Sequence, residues 1–65
     1  MKLQLNGAPI EADSATLSDL LVAQGYGEAR VATAVNGAFV PATMRATHTL
    51  NDGDQVEVLA PMQGG

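Results

Sequence analysis

Apolar and polar residues alternate in two stretches near opposite ends of the chain. The first runs from Lys2 to Asn6 and places its two leucines on one face, and the second runs from Gln55 to Ala60. Alternation with a period of two is typical of a strand that buries one face. In the second stretch, Val56 and Val58 would point inward. We therefore predict one strand near each end of the chain.

Two Asn-Gly pairs mark hairpin turns, and three further strands are predicted around them. Asn and Gly both accept the positive φ of a two-residue turn, so Asn6-Gly7 should return the chain through Ile10 and Ala12. Pro9 lacks an N–H, which indicates either an edge position or an irregular first residue for this returning strand. Likewise Val31 to Val35, rich in β-branched and small residues, should turn at Asn36-Gly37 into a brief Phe39-Val40 strand ended by Pro41.

A single helix is predicted from Thr16 to Gln24. Thr16 and Asp19 have the spacing of a capping box, with Asp in place of the usual Glu. The three leucines that follow, at positions 17, 20 and 21, form an i, i+3, i+4 stripe that one face can bury. Gly25 supplies a stop. Such a short helix needs a sheet to pack on.

These elements predict an α+β fold, with one mixed sheet of four to five strands crossed by the helix. The crossover through the helix is long enough to permit a parallel pair. Pro41 to Thr49 has no clean period and is interpreted as a turn or one short helical turn, and Asp52-Gly53 as the centre of a tight turn. Leu20 and Val56 should both be buried.

The composition and charge of the chain argue against several classes of function. The chain has 65 residues, no cysteine and a net charge of −4, which favours one small domain over residues 1–61 without disulfides. The acidic balance argues against nucleic acid and against anionic membranes as partners. No apolar run approaches a membrane span, and the first residues lack a signal-peptide block, so we expect a cytoplasmic protein.

No set of side chains predicts catalysis or metal binding. His48 has no Ser, Cys or second His in a motif beside it, and is interpreted as a surface or loop residue. Asp52 and Asp54 lack the further ligands of a calcium loop, which favours the turn interpretation. We therefore expect no bound cofactor, no metal site and no enzymatic activity of the chain itself.

The residues after Pro61 have no pattern that could pack. Met62, Gln63, Gly64 and Gly65 are interpreted as a flexible tail, residues 62–65. At an average glycine usage of ~7%, two final glycines occur by chance in under about 1% of chains. A terminus without side-chain bulk can enter a narrow active site on another protein. The alternative is a frayed end without a role.

Together with this tail, three segments of the chain resemble the thiamine-biosynthesis sulfur carrier proteins (ThiS), which share the ubiquitin-like β-grasp fold. The resemblance covers essentially the whole chain in order. Its segments are Thr16 to Leu21, Val35 to Pro41, Leu50 to Glu57 and Gln63 to Gly65. The chain departs from the family pattern at Ala42, where many members have a basic residue, and at Arg45, where many have tryptophan. Both departures concern partner contacts at positions 42–46.

The resemblance implies a function as a protein substrate of other enzymes. An adenylating enzyme that resembles ubiquitin-activating enzymes would use ATP to activate the Gly65 carboxylate. A sulfur donor such as a cysteine desulfurase would then supply sulfur, and a thiazole synthase would use the resulting thiocarboxylate. We expect Gln63 and Gly64 to deliver this terminus. We also expect Val58, Leu59 and Met62 to contact the activating enzyme, with the acidic charge steering the encounter.

Three other functions would use the same fold. A carrier for molybdopterin or another sulfur-requiring pathway would share the tail. A ubiquitin-like modifier would form isopeptide links to lysines. A regulatory β-grasp module would bind partners without any chemistry at the tail.

Overall fold

The computed structural model describes residues 1–27 and 30–60. In this part of the chain, five strands and one α-helix follow in the order β1, β2, α1, β3, β4, β5, with a 3₁₀ turn between the last two strands. Their bounds are Lys2–Leu5 for β1, Ala8–Glu11 for β2, Leu17–Ala23 for α1, Ala32–Val35 for β3, Ala38–Val40 for β4, Ala42–Met44 for the 3₁₀ turn and Gln55–Leu59 for β5. Each predicted element is confirmed, with bounds that differ by one or two residues.

The five strands form one mixed sheet in the order β2-β1-β5-β3-β4. Neighbouring strands are antiparallel except for β1 and β5, which are parallel. The parallel pair therefore joins the first and last strands of the chain. The crossover through α1 connects β2 to β3, which run in the same direction but have β1 and β5 between them. This is the ubiquitin-like β-grasp arrangement that the sequence predicts.

The helix lies across one face of the sheet and begins as the capping pattern predicts. The Asp19 N–H donates to the Thr16 hydroxyl (3.2 Å), which satisfies one of the N–H groups left free at a helix start. The leucine stripe of the helix is buried against the central strands. The buried apolar core consists of Leu3, Leu17, Leu20, Leu21, Val35, Val40, Leu50, Val56 and Val58. The predicted burial of Leu20 and Val56 is thus confirmed.

Both Asn-Gly hairpins have the predicted backbone. Asn6 and Gly7 have φ of 51° and 83°, and Asn36 and Gly37 have φ of 52° and 83°. Two successive positive φ values define the type I′ turn, whose twist matches that of the flanking strands. The strand that begins after the first turn, β2, is an edge strand that contains Pro9, which is one of the positions where a residue without an N–H is tolerated.

The tight turn before β5 is held by its own side chains. The Asp54 N–H donates to the Asn51 carbonyl (3.1 Å), and Asp54 Oδ2 accepts from the Asn51 N–H (2.9 Å). Asp52 Oδ1 accepts from the Lys2 N–H (2.6 Å), which joins the turn to the start of β1. Asp54 therefore accepts within the turn and Asp52 links the turn to β1, in agreement with the turn interpretation.

Candidate functional site

The predicted tail begins beyond the central strand of the sheet. β5 has β1 on one side and β3 on the other, and its last residue, Leu59, pairs with Ala32 at the start of β3. Ala60 follows and is exposed. The predicted tail at residues 62–65, including the Gly65 carboxylate, lies outside the described residues. The described part of the candidate site is the end of β5, next to the predicted tail in sequence.

On the side of β5 that faces β1, the backbone at the end of β5 is hydrogen-bonded by a side chain and not by the backbone of another strand. β1 ends at Leu5, which is the register partner of Val56. Beyond it, Asn6 Oδ1 accepts from the Val58 N–H (2.8 Å), and Asn6 Nδ2 donates to the Val58 carbonyl (3.2 Å). The amide of Asn6 thus satisfies both backbone groups of Val58 in a partly buried setting.

Among residues 1–27 and 30–60, no helix or strand covers the sheet face opposite α1. Strand alternation decides which side chains this face presents. Val56 and Val58 point into the core, so Gln55, Glu57 and Leu59 point to the open face. Val58 is only 8% exposed, whereas Leu59 is 72% exposed. The expectation that Val58 contacts a partner is therefore wrong for its side chain, because a residue packed under the helix cannot reach across the sheet. Leu59 remains a candidate.

Phe39 is a residue of this face that the sequence analysis did not assign to a site. It is 69% exposed and pairs with Ala34, which in turn pairs with Glu57. Directly paired residues share a face, so Phe39, Glu57 and Leu59 all flank the small alanines of β3. Alternation through Phe39 and its buried neighbour Val40 could have revealed this outward position from the sequence.

These residues form an open, mostly apolar depression of about 190 Å³. We refer to it as the β3 patch, lined by Ala32, Thr33, Ala34, Phe39, Glu57 and Leu59. Exposed apolar surface of this kind often marks a binding site. The patch borders the strand end from which the tail departs, and it carries one carboxylate, that of Glu57. A partner that covers it would bury aromatic and aliphatic surface beside a negative charge.

Arg45, the position that departs from the family pattern, has a structural role. Its Nε donates to the Thr33 hydroxyl (3.0 Å) and its guanidinium donates to the Val31 carbonyl. Thr33, which is buried, in turn donates to the Val40 carbonyl (2.8 Å). Arg45 thus ties the segment after the 3₁₀ turn to β3. Ala42 begins that turn and is exposed, so the segment still presents small apolar surface.

His48 contributes its backbone to the fold. Its carbonyl accepts from the Leu17 N–H at the start of the helix (2.9 Å). Over residues 1–27 and 30–60, no cluster of three or more His, Asp or Glu side chains could hold a metal ion. In the same residues, no helix is long and apolar enough to cross a membrane.

The chain matches the sequence profile of the ThiS family over residues 3–65. It is also similar to a thiamine biosynthesis protein (ThiS) from Geobacter metallireducens, with 35% identity, a TM-score of 0.84 and full coverage of both chains in the crystal structure. The solution structure of a thiamine biosynthesis protein from the same organism gives 33% identity and a TM-score of 0.80, covering 100% of this chain and 88% of the other. No curated protein sequence matches significantly.

Proposed function

The chain belongs to the ThiS family, and on that premise we propose that it is a sulfur carrier protein in thiamine biosynthesis. In this proposal the chain is a protein substrate, and partner enzymes supply the catalysis. The observation that carries the proposal is the family match, which extends through the diglycine to Gly65. The fold supports it, because the central strand leads toward that terminus from an exposed end.

We assign activation to the carboxylate of Gly65. One of its oxygens would attack the α-phosphorus of ATP on an adenylating enzyme, and pyrophosphate would leave. The product, an acyl-adenylate, has the leaving group that a free carboxylate lacks. Four residues beyond Pro61 span at most ~3.6 Å each, or about 14 Å. The folded body must therefore dock closely while its terminus reacts, which makes positioning the main contribution of the carrier.

Sulfur transfer would follow at the same carbon. A persulfide on a sulfur donor such as a cysteine desulfurase would attack the acyl carbon and expel AMP. A thiol of a partner protein would then break the sulfur–sulfur bond, forming a disulfide with the donor and leaving a thiocarboxylate on Gly65. The thiocarboxylate is the sulfur nucleophile that a thiazole synthase would use. Because these steps begin with ATP, the proposal places the chain in the cytoplasm.

We propose that the activating enzyme docks on the β3 patch. Leu59 and Phe39 are the large apolar side chains of the patch, and Leu59 lies on the strand that leads to the tail. An enzyme that covers this surface holds the terminus within its short reach. Glu57 would face a basic group of the enzyme and steer the encounter. Met62 lies beyond the described residues and stays a candidate contact.

The docking proposal is tested by truncating the patch residues. Leu59→Ala and Phe39→Ala should each raise the KM of the activating enzyme for the carrier by about 5- to 30-fold, as loss of an interface anchor does. Val22→Ala is the matched control, because Val22 is also apolar and 65% exposed but lies on the helix. Equal effects of the patch variants and the control would contradict docking at the patch.

The carrier function is tested by an intact-mass measurement on protein purified from its native host. A carrier should show a fraction whose mass is raised by the replacement of one oxygen by sulfur. Fragmentation should place that change on Gly65, and alkylation of the thiocarboxylate should shift the same fraction. If cells starved of thiamine contain only the unmodified carboxylate or an isopeptide-linked form, the sulfur-carrier proposal fails.

A further inference from the structure

The two Asn-Gly turns bond opposite ends of β5. Asn36 lies beside the start of the strand, where its backbone N–H donates to the Gln55 carbonyl (2.7 Å) and its Oδ1 accepts from the Gln55 N–H (3.0 Å). Asn6 lies beside the end of the strand, where its amide pairs with both backbone groups of Val58. The same turn sequence therefore holds the strand at two places, only one of which is next to the tail.

The geometry of β1 and β5 explains why a side chain is needed at the tail end. The Asn6 N–H donates to the Val56 carbonyl (2.9 Å), so the backbone groups of Val56 face β1. Because alternate residues of a strand direct their hydrogen-bonding groups to the same side, those of Val58 also face that side. Beside Val58, however, β1 has already ended, because the chain turns away at Gly7. The side-chain amide of Asn6 takes the place of the missing next residue of β1.

We propose that Asn6 is a positioning residue that fixes the direction in which β5 delivers the reactive terminus. This inference rests on the proposed function. Only six residues separate Val58 from Gly65, so the position and direction of β5 at Val58 limit the region that the terminus can reach. Reaction rates are sensitive to errors of position, since a misplacement of ~1 Å can cost about 10²-fold. The residue acts through β5 and has no role at the reacting carbon.

Glycine is the substitution that isolates the side chain. Asn6 and Asn36 both have positive φ, which glycine adopts without strain. Asn6→Gly therefore removes the two side-chain hydrogen bonds to Val58 and keeps the turn. Asn36→Gly likewise keeps its turn and removes the bond from the Gln55 N–H and the bond that Asn36 Nδ2 donates to Asp54 Oδ1 (3.0 Å). The two variants form a matched pair that differs in which end of the strand is released. Asn6→Asp is a graded variant, since its carboxylate still accepts from the Val58 N–H but cannot donate to the carbonyl.

The experiment measures ATP–pyrophosphate exchange on the activating enzyme from the same organism, with hydrogen exchange and melting curves for each variant. We expect Asn6→Gly to lower kcat about tenfold while KM stays within about twofold, because the docking surface is retained. Asn36→Gly should leave both constants within about twofold. Both variants should melt at a lower temperature, and Asn6→Gly should show the larger decrease, because the hydrogen bonds of Asn6 are partly buried whereas those of Asn36 are exposed. Asn6→Asp should have an intermediate kcat.

Hydrogen exchange reports on the strand end without the enzyme. The Val58 amide should exchange at least tenfold faster in Asn6→Gly and stay protected in Asn36→Gly. If the kcat of pyrophosphate exchange is the same with Asn6→Gly as with Asn36→Gly, whether unchanged or lowered in both, Asn6 is only structural. That result would overturn the inference. If the unaltered chain is not adenylated at all, the proposed function falls and this inference falls with it.

Discussion

Truncating Leu20 tests whether the helix is held by the apolar core. Leu20 lies in the middle of α1, is 0% exposed and belongs to the same buried cluster as the central strand residues Val56 and Val58. Leu20→Ala removes three carbons and leaves the helix backbone intact, because alanine is the best helix former. The change therefore isolates packing from helix propensity.

The expected loss follows from burial and from the size of the domain. Three buried carbons at ~0.8 kcal/mol each give about 2.4 kcal/mol from transfer alone. The cavity left behind raises the usual range for such a change to about 2–5 kcal/mol. At ~0.05–0.15 kcal/mol per residue, 65 residues give a total free energy of unfolding of about 3–10 kcal/mol. Leu20→Ala should thus remove a large share of the stability and leave a measurable unfolded fraction.

The assay is urea unfolding monitored by circular dichroism, with Val22→Ala as the control. Val22 lies two residues along the same helix but is 65% exposed, so its truncation should change the free energy of unfolding by less than about 0.5 kcal/mol. An unchanged m-value would show that the unfolded state is the same in both variants. A loss below about 1 kcal/mol for Leu20→Ala, or an equal loss for the control, would refute the packing argument.

Three further predictions concern the hydrogen bonds of Arg45, the turn at Gly37 and the charge of Glu57. Arg45→Lys should lower the free energy of unfolding by about 1–3 kcal/mol, because lysine cannot place two donors on Thr33 and on the Val31 carbonyl at once. The change is measured in the same urea assay, and Arg30→Lys at an exposed position serves as the control. Gly37→Ala should cost about 1–2 kcal/mol from backbone strain at φ 83°, and Gly37→Asn less, as chemical denaturation can show. The rate of association with the activating enzyme should fall as the salt concentration rises, because exposed charges are screened beyond ~8 Å. Stopped-flow mixing measures this rate, and Glu57→Gln should weaken its salt dependence. An association rate that does not change with salt would contradict electrostatic steering.

The fold was predictable because its local signals agree with one another. The alternation in the first and last strands, the leucine stripe of the helix and the two Asn-Gly turns each specify one element, and each element is present. The pairing of β1 with β5 was less accessible, because contacts between the two ends of a chain leave no mark in local periodicity. The missing N–H of Pro9 indicated either a sheet edge or an irregular first residue, and only the strand order shows that β2 is an edge strand.

The candidate site was predictable only in part. Leu59 was identified from its place next to the tail, but Phe39 was missed, because its proximity to Leu59 depends on the register of three strands. Val58 was assigned to docking although its alternation with Glu57 already indicates burial. The role of Asn6 could not be inferred, since an Asn-Gly pair is fully explained by its turn until the partner of its side chain is known.

The central claim is that the terminal carboxylate is the reactive group, and one added residue tests it most directly. A variant with one alanine appended after Gly65 moves the carboxylate and places a Cβ at the reacting end. Pyrophosphate exchange is measured with the activating enzyme and ATP, with mass spectrometry after the reaction to detect trimming and a melting curve as control. We predict unchanged melting and an exchange rate lowered at least about 100-fold. Exchange as fast as that of the parent chain, with the added alanine still present, would contradict the account.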